Sequence, residues 1–377
     1  MTHPKIPFFR KLEVLRKPAR DLGFRMPAEW ERVERVWLSP PHNPATWPRC
    51  FAQARAQFRD FARAVRKYAA VATTTRLGIA TNDAWVRDFG PIFVVRETGA
   101  KGLAAADDGD GKSVHGSAKT PARGTRTGPT APARKALHDF RFNGWGGKYE
   151  KRDLDDVVPQ HIAARLGLPL WVHNLVLEGG SIDVNGRGTL MTTEQCLLNK
   201  NRNPRKTRSQ IAAALGEALG VEHVIWLPGG IVGDDTDGHI DDLARFVAPG
   251  TVVAVHPRQG HPDFAILDRN WRALRAARDQ DGHALTLIPL PAPEPIFYNF
   301  PADRYRLGGV SPLPASYANF LIANGAVFVP IFGQAGDERA LRILEQALPR
   351  HRVIGLRAEH LVVGLGAFHC LSQQEPA

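Results

Sequence analysis

Three cysteines in 377 residues are too few and too widely spaced to build a disulfide framework. A reduced, cytoplasmic setting is the simpler expectation, and the odd count leaves room for a reactive thiol. Long apolar runs are missing as well. No stretch of about 18 apolar residues occurs, so no membrane span is expected. The N-terminal "MTHPKIPFFRKLEVLRKPARD" lacks the apolar block and small-residue cleavage site of a secretory signal. Metal signatures are absent: there is no H-E-x-x-H, "DDTDGHIDD" does not fit the calcium loop, and the H-x-E with P-C-x-x-C of zinc deaminases is not found. No bound metal is therefore expected, and a Cys–His–Asp zinc site that activates a hydrolytic water is the rival to test.

The net charge of +11 invites a nucleic-acid partner. Its distribution argues otherwise. Residues 101–138 hold seven Lys/Arg against three Asp, so +4 of the total, in a stretch rich in Gly, Ala, Thr and Pro with no apolar periodicity. That segment reads as a flexible, low-complexity insertion. Elsewhere basic and aromatic residues do not interleave, so neither nucleic acid nor membrane is an expected partner.

The hydrophobic fraction of 43% suffices for a large core. One unit recurs about five times: an amphipathic helix, a short apolar strand, then a hairpin. It can be traced over 51–97, 156–193, 208–256, 268–333 and 337–376. Hairpin turns such as "NGRG", "APG" and "ANG" lie between β-branched runs. Helical stretches carry apolar residues three and four apart, and Asp337 is a candidate N-cap for the last. The expected fold is α/β, a closed ring forming one catalytic domain over 1–377. Closure is favoured over a linear array because it removes unprotected sheet edges.

In such a ring the strand-to-hairpin joints converge on the axis, and they carry unusual polarity. "TNDAWVRDFGP" holds Asp83, Trp85, Arg87 and Asp88. "LEGG" holds Glu178. "GDDTDGHIDD" holds Asp234, Asp235, Asp237, His239, Asp241 and Asp242. "SYANF" holds Asn319, and "GLGAFHC" ends in Cys370. His239 and Asp241, two apart, face one side if their segment is extended. A thiolate is a strong nucleophile once its pKa falls or a base assists, and His239 is the candidate base. Surrounding carboxylates alone would raise the thiol pKa. The pocket therefore requires a cationic substrate, with Asp88 and Asp241 placed to clamp a guanidinium by paired hydrogen bonds. Trp85 is read as either a pocket wall with a cation–π face or core packing. His369, Cys50 and Cys196 are read as structural.

The words "TNDAWVRDFGPIFVV", "RFNGWGGKY", "LEGGSIDVNGRGTLMTTEQCLLNKNRNP", "WLPGGIVGDDTDGHIDDLARFVAPG", "SYANFLIANGAVFVPIFG" and "HCLSQQEP" together resemble the agmatine deiminase family. That family lies within the guanidine-modifying group that includes bacterial-type peptidylarginine deiminases. The resemblance implies a five-bladed, pseudo-symmetric α/β propeller (pentein-like) with its site on the axis. It implies Cys370 as nucleophile, His239 as acid/base, Asp88 and Asp241 as guanidinium ligands, and Glu178, Trp85 and Asn319 as pocket members. Asp235, with Asp234 and Asp237, is a candidate for the substrate's amine tail. No metal or organic cofactor is implied, and a homodimer is. The expected reaction hydrolyses agmatine to N-carbamoylputrescine and ammonia through a covalent cysteine adduct. A deiminase for peptidylarginine or another guanidine, and a non-enzymatic ligand-binding propeller, are the alternatives. The departure is "GLGAF" before the His-Cys pair: Leu365, Ala367 and Phe368 stand where a glycine run and Asn-Ile are usual.

Overall fold

The computed structural model describes residues 12–96, 134–302 and 308–377. Five three-stranded sheets share one topology. β1 (Val33–Leu38) runs parallel to β2 (Ala70–Thr73), with helix α1 (Phe51–Val65) as the crossover. The hairpin β3 (Ile92–Val95) and β4 (Lys135–Arg141) is extended by β5 (Leu170–Val176), parallel to β4, across α2 (Val158–Leu166). Next come β6 (Asp183–Val184), β7 (Thr189–Thr193) and β8 (His223–Leu227), with α3 (Arg208–Leu219). The fourth sheet holds β9 (Ala244–Ala248), β10 (Thr251–Val255) and β11 (Thr286–Leu290), with α4 (Phe264–Ala276). A separate hairpin, β12 (Phe297–Phe300) and β13 (Gly309–Pro312), stands between the fourth and fifth sheets in sequence. The fifth sheet is β14 (Leu321–Ala323), β15 (Ala326–Ile331) and β16 (Arg352–Arg357), with α5 (Gly336–Ala347).

β17 (Ser372–Pro376) closes the cycle. It lies antiparallel on β1, with Leu38 opposite Ser372 and Val36 opposite Gln374. The first sheet is therefore built from both ends of the chain. Each structural blade is a hairpin, a crossover helix and a parallel strand. The unit legible in sequence is the same pattern shifted by one strand, so it spans two adjacent blades.

Local chemistry accounts for these elements. The middle strands β10 (TVVAV) and β15 (AVFVPI) are almost wholly buried, as expected of strands covered on both faces. In α1, Ala54, Phe58, Phe61, Ala62 and Val65 form one buried stripe. α3 begins at a capping box of Thr207 and Gln210 and ends at Gly220 with φ 68°.

Two sequence expectations change. The proposed insertion at 101–138 is too long, because Lys135–His138 belong to β4; residues 101–133 lie outside the described residues. Asp337 is not the N-cap of α5 but sits in its first turn. There it accepts hydrogen bonds from the N–H groups of Phe332, Gly333 and Gln334 and from the Tyr317 hydroxyl, so it closes the preceding loop instead. Cys370, at the last joint, lies in the turn Phe368–Leu371 that delivers the chain into β17.

Candidate active site

Each blade hands over to the next through a short inward turn, and each turn contributes polar groups. Asp88 lies on the one-turn helix Val86–Phe89. Glu178 precedes the turn Gly179–Ser181, and His239 precedes Ile240–Asp242. Asn319 follows Tyr317–Ala318, and Cys370 follows Val362–Gly364 by one further turn.

The joints meet at Gly180. A Cβ there would stand 2.6 Å from His239 Nδ1, 2.8 Å from Asp88 Oδ1 and 3.0 Å from Asp241 Oδ2. Only glycine lets these three groups close on one point. Gly180 N–H also donates to Asp88 Oδ1 at 3.0 Å, and Trp145 Nε1–H donates to Asp88 Oδ2 at 2.9 Å. His239 and Asp241 do share a side, but not because the segment is extended: residues 240–242 form a 3₁₀ turn.

Around Cys370 the arrangement is as tight. Asn319 Nδ2 lies 3.0 Å from Sγ and also donates to Asp242 Oδ1 at 2.9 Å. Asn319 Oδ1 accepts the His369 and Cys370 backbone N–H groups at 3.0 and 3.4 Å. Asp241 Oδ2 is 3.5 Å from the thiol and 2.7 Å from His369 Nδ1. His369 Nε2 in turn meets Glu29 Oε2 at 2.9 Å. His369 thus holds Asp241, as its structural reading requires. Asp241 Oδ1 is buried without a partner, an open acceptor beside the nucleophile.

Burial pushes the Cys370 thiol well above its ordinary range, and Asp241, Asp242 and Asp88 push it further. The His239 pKa is raised too, which for an imidazole favours the charged form. Burial disfavours its cation, but Asp88, Cys196 and Asp241 outweigh that and hold the imidazolium well above the usual histidine range. Burial raises Asp88 to about 6, with His239 opposing and Asp241 adding to the rise. Asp242 is raised well above the carboxylate range by burial, Asp241 and Asp234. Burial also acts to raise Asp241, but the His369 hydrogen bond and nearby positive charge more than offset it. Burial and charge in the resting site thus favour a neutral thiol and a protonated His239.

A cavity of about 690 Å³, counting the part open to solvent, leads to this centre. Cys370, Asp88, Trp85 and Asp235 line it. His239, Asp241, Glu178 and Asn319 stand directly behind its wall, fully buried. Trp85 lines the cavity and also packs on Trp47 with ring centroids 5.4 Å apart, so the two readings offered for it are not exclusive. Asp234 does not line the inner cavity. It accepts from the N–H groups of Thr236, Gly238 and His239 and so shapes the loop. Asp237 pairs with Lys148 and Arg202.

Sequence reasoning passed over several residues. Trp145, within "RFNGWGGKY", orients Asp88, and its place between glycines is the sequence signal that marks it; its φ is 51°. Asp242, to which the resemblance assigns no role, lines the cavity. Glu29, before the first strand, anchors His369 and Arg245 and carries no local signal. Cys196 is fully buried as expected, but it lies behind His239. Its sulfur, Glu178 and a ring nitrogen of His239 fall within 4.8 Å of one another, close enough to hold a metal ion. Arg202 already neutralises Glu178 there, with Nε 2.7 Å from Oε1, which leaves less charge for a metal.

Comparison with known proteins places this arrangement. The sequence pattern of the Porphyromonas-type peptidyl-arginine deiminases matches residues 25–376. Agmatine deiminase from Medicago truncatula is 35% identical, over 94% of this chain and 97% of its own. That from Pseudomonas aeruginosa strain LESB58 is 34% identical, over 94% and 96%. Among solved structures, the agmatine deiminase of Enterococcus faecalis superimposes with a TM-score of 0.82 at 29% identity, covering 97% of this chain and 99% of that one. The five-unit α/β architecture is shared with it.

Proposed function

Because the chain belongs to the Porphyromonas-type peptidyl-arginine deiminase family, within the guanidine-modifying group of the agmatine deiminases, and is a cysteine-dependent guanidine hydrolase, we propose that its substrate is agmatine. The non-enzymatic alternative falls with that membership. The observation that carries the substrate reading is the burial of Cys370 among Asp88, Asp241 and Asp242, which raises its pKa. Such a thiol ionises only when a cation enters beside it. A guanidinium is planar, permanently charged and able to give paired hydrogen bonds to carboxylates.

In this scheme Asp88 and the open Oδ1 of Asp241 hold the guanidinium, and Trp85 and Trp145 flank it. The substrate's charge lowers the thiol pKa, and the Cys370 proton leaves to solvent. The thiolate attacks the guanidinium carbon, forming a C–S bond. His239 gives its proton to a terminal nitrogen, the C–N bond breaks, and ammonia leaves. A thiouronium-type adduct remains. Neutral His239 then takes a proton from water, and the hydroxide attacks the same carbon. The C–S bond breaks, the hydroxyl proton of the adduct passes to the departing sulfur, and N-carbamoylputrescine leaves with the neutral thiol and the imidazolium restored. Asn319 steadies the thiolate through its 3.0 Å contact. Asp235, which lines the cavity and accepts from the Tyr149 hydroxyl at 2.5 Å, is the proposed partner of the amine tail.

Ammonia release from agmatine, arginine and a C-terminal arginine peptide, measured side by side, tests the reading. The expected order places agmatine first by a wide margin in kcat/KM. Preference for the peptide would replace agmatine as the substrate.

A further inference from the structure

Leu365 occupies a backbone position made for glycine. Its φ is 71°, in the left-handed region where a Cβ crowds the following carbonyl. The residues on either side are glycines, and both are pinned. A Cβ on Gly364 would meet the Trp47 ring at 2.6 Å and the Trp85 ring at 2.8 Å. On Gly366 it would meet Trp85 at 2.6 Å and the Cys370 Cβ at 3.0 Å. The loop therefore lies flat on two tryptophans, five residues before the nucleophile. Of these three positions, only the middle one carries a side chain.

That side chain is partly exposed and lines two spaces at once. One is the inner cavity that holds Cys370 and Asp88. The other is an outer cleft bordered by Lys148, Asp234 and Phe300. Among the described residues Tyr149 and Asp235 also line both, so these three form the neck between cavity and cleft. A strained conformation persists where its surroundings over-determine it, and such positions gather at functional sites. Glycine would satisfy the backbone here without strain. The isobutyl group is kept at a cost, and the neck is what it fills.

We propose that Leu365 is a specificity-determining residue that narrows the neck to the width of an unbranched alkyl chain. This rests on the reading of the chain as an agmatine deiminase. Polymethylene carbons pass Leu365 by apolar contact while the terminal ammonium meets Asp235. A guanidine branched beside its terminal nitrogen brings bulk against Leu365 whatever its charge. Arginine adds a second penalty, since its carboxylate faces Asp235. The two forms of exclusion separate in argininamide, which keeps the branch and lacks the carboxylate.

The experiment compares wild type, Leu365→Gly and Leu365→Ala for kcat/KM on agmatine, argininamide and arginine. Glycine removes both bulk and strain; alanine removes the bulk and keeps the strain, so a shared effect reports the bulk. The argininamide-to-agmatine ratio should rise about tenfold or more in both variants, the scale set by a few carbons in a fitted pocket. Arginine should gain less, and kcat for agmatine should stay within about threefold while its KM rises. A ratio within about twofold of wild type in either variant overturns the proposal, with the agmatine reading intact. Wild type that ignores agmatine overturns both. Should Leu365→Gly fail to fold, the alanine variant alone decides.

Discussion

Cys370 Sγ lies 3.0 Å from Asn319 Nδ2, and the oxygen of the same amide takes the Cys370 backbone N–H at 3.4 Å. One side chain from the preceding joint thus fixes both the position and the electrostatics of the nucleophile. Losing a hydrogen bond to a charged group costs about 1.5–3 kcal/mol, or roughly 10- to 150-fold in rate. Asn319→Ala is expected to lower kcat/KM for the guanidine substrate by that factor. It should also slow alkylation of Cys370 by iodoacetamide at a given pH, because the contact favours the thiolate. Unchanged alkylation and turnover would remove Asn319 from the site.

Cys370→Ala should abolish turnover and still fold. The thiol is neutral at rest, so its loss removes no buried charge. Thermal melting is expected within a few degrees of wild type, and measurable ammonia release from the purified variant would defeat the covalent scheme.

The pH dependence follows from Asp88. Its carboxyl is held at about 6 by burial, against 3.8 in the unfolded chain. It must be ionised to hold a guanidinium, so kcat/KM should fall as pH drops through about 6. The same shift works against stability at higher pH. Below 3.8 the group is protonated in both states and the penalty is absent; it grows as pH rises and is fully present above about 6. Asp88→Asn should therefore melt higher than wild type at pH 7.5 and alike at pH 3.5, with its activity lost. A kcat/KM flat from pH 7.5 to 5 would show that Asp88 is not the titrating ligand.

Gly180→Ala tests the convergence of the joints. The added Cβ would press on His239, Asp88 and Asp241, and displacing reacting groups by about 1 Å costs on the order of 10²-fold in rate. The expected outcome is a loss of kcat of that size with only modest destabilisation. Wild-type kcat in a folded Gly180→Ala protein would show that the three groups need not meet.

Exhaustive dialysis against a chelator should leave kcat unchanged, since the scheme assigns nucleophile, acid and ligands to side chains. Loss of activity restored by added zinc would revive the metal-dependent rival, and Glu178, Cys196 and His239 would be the first residues to examine.

Much of this was legible in the chain. The helix, strand and hairpin rhythm fixed the α/β class and the number of units, because hydrophobic period is a local property. Turn chemistry marked the hairpins, and the polar words at the joints named Cys370, His239, Asp88 and Asp241. Long-range relations were not legible. That Trp145 orients Asp88 across 57 positions, or that Glu29 reaches His369 across 340, leaves no local trace. The end of the insertion was illegible for a related reason: Lys135–His138 is too short a stretch to show a strand period beside the low-complexity run, and pairing with β3 and β5 makes it one.

Residue type and spacing by themselves determined the secondary-structure units, the family and the reactive groups, since each depends on side-chain chemistry within a few residues. Tertiary structure decided the rest. Pairing β17 with β1 brought the two ends of the chain into one sheet and held Cys370 in its turn. Stacking the joints around Gly180 turned separate acids into one low-dielectric cluster, where burial and mutual charge set the pKa of each. Folding likewise put Leu365 into a left-handed turn at the neck of the cavity. In sequence it is one apolar residue between two glycines.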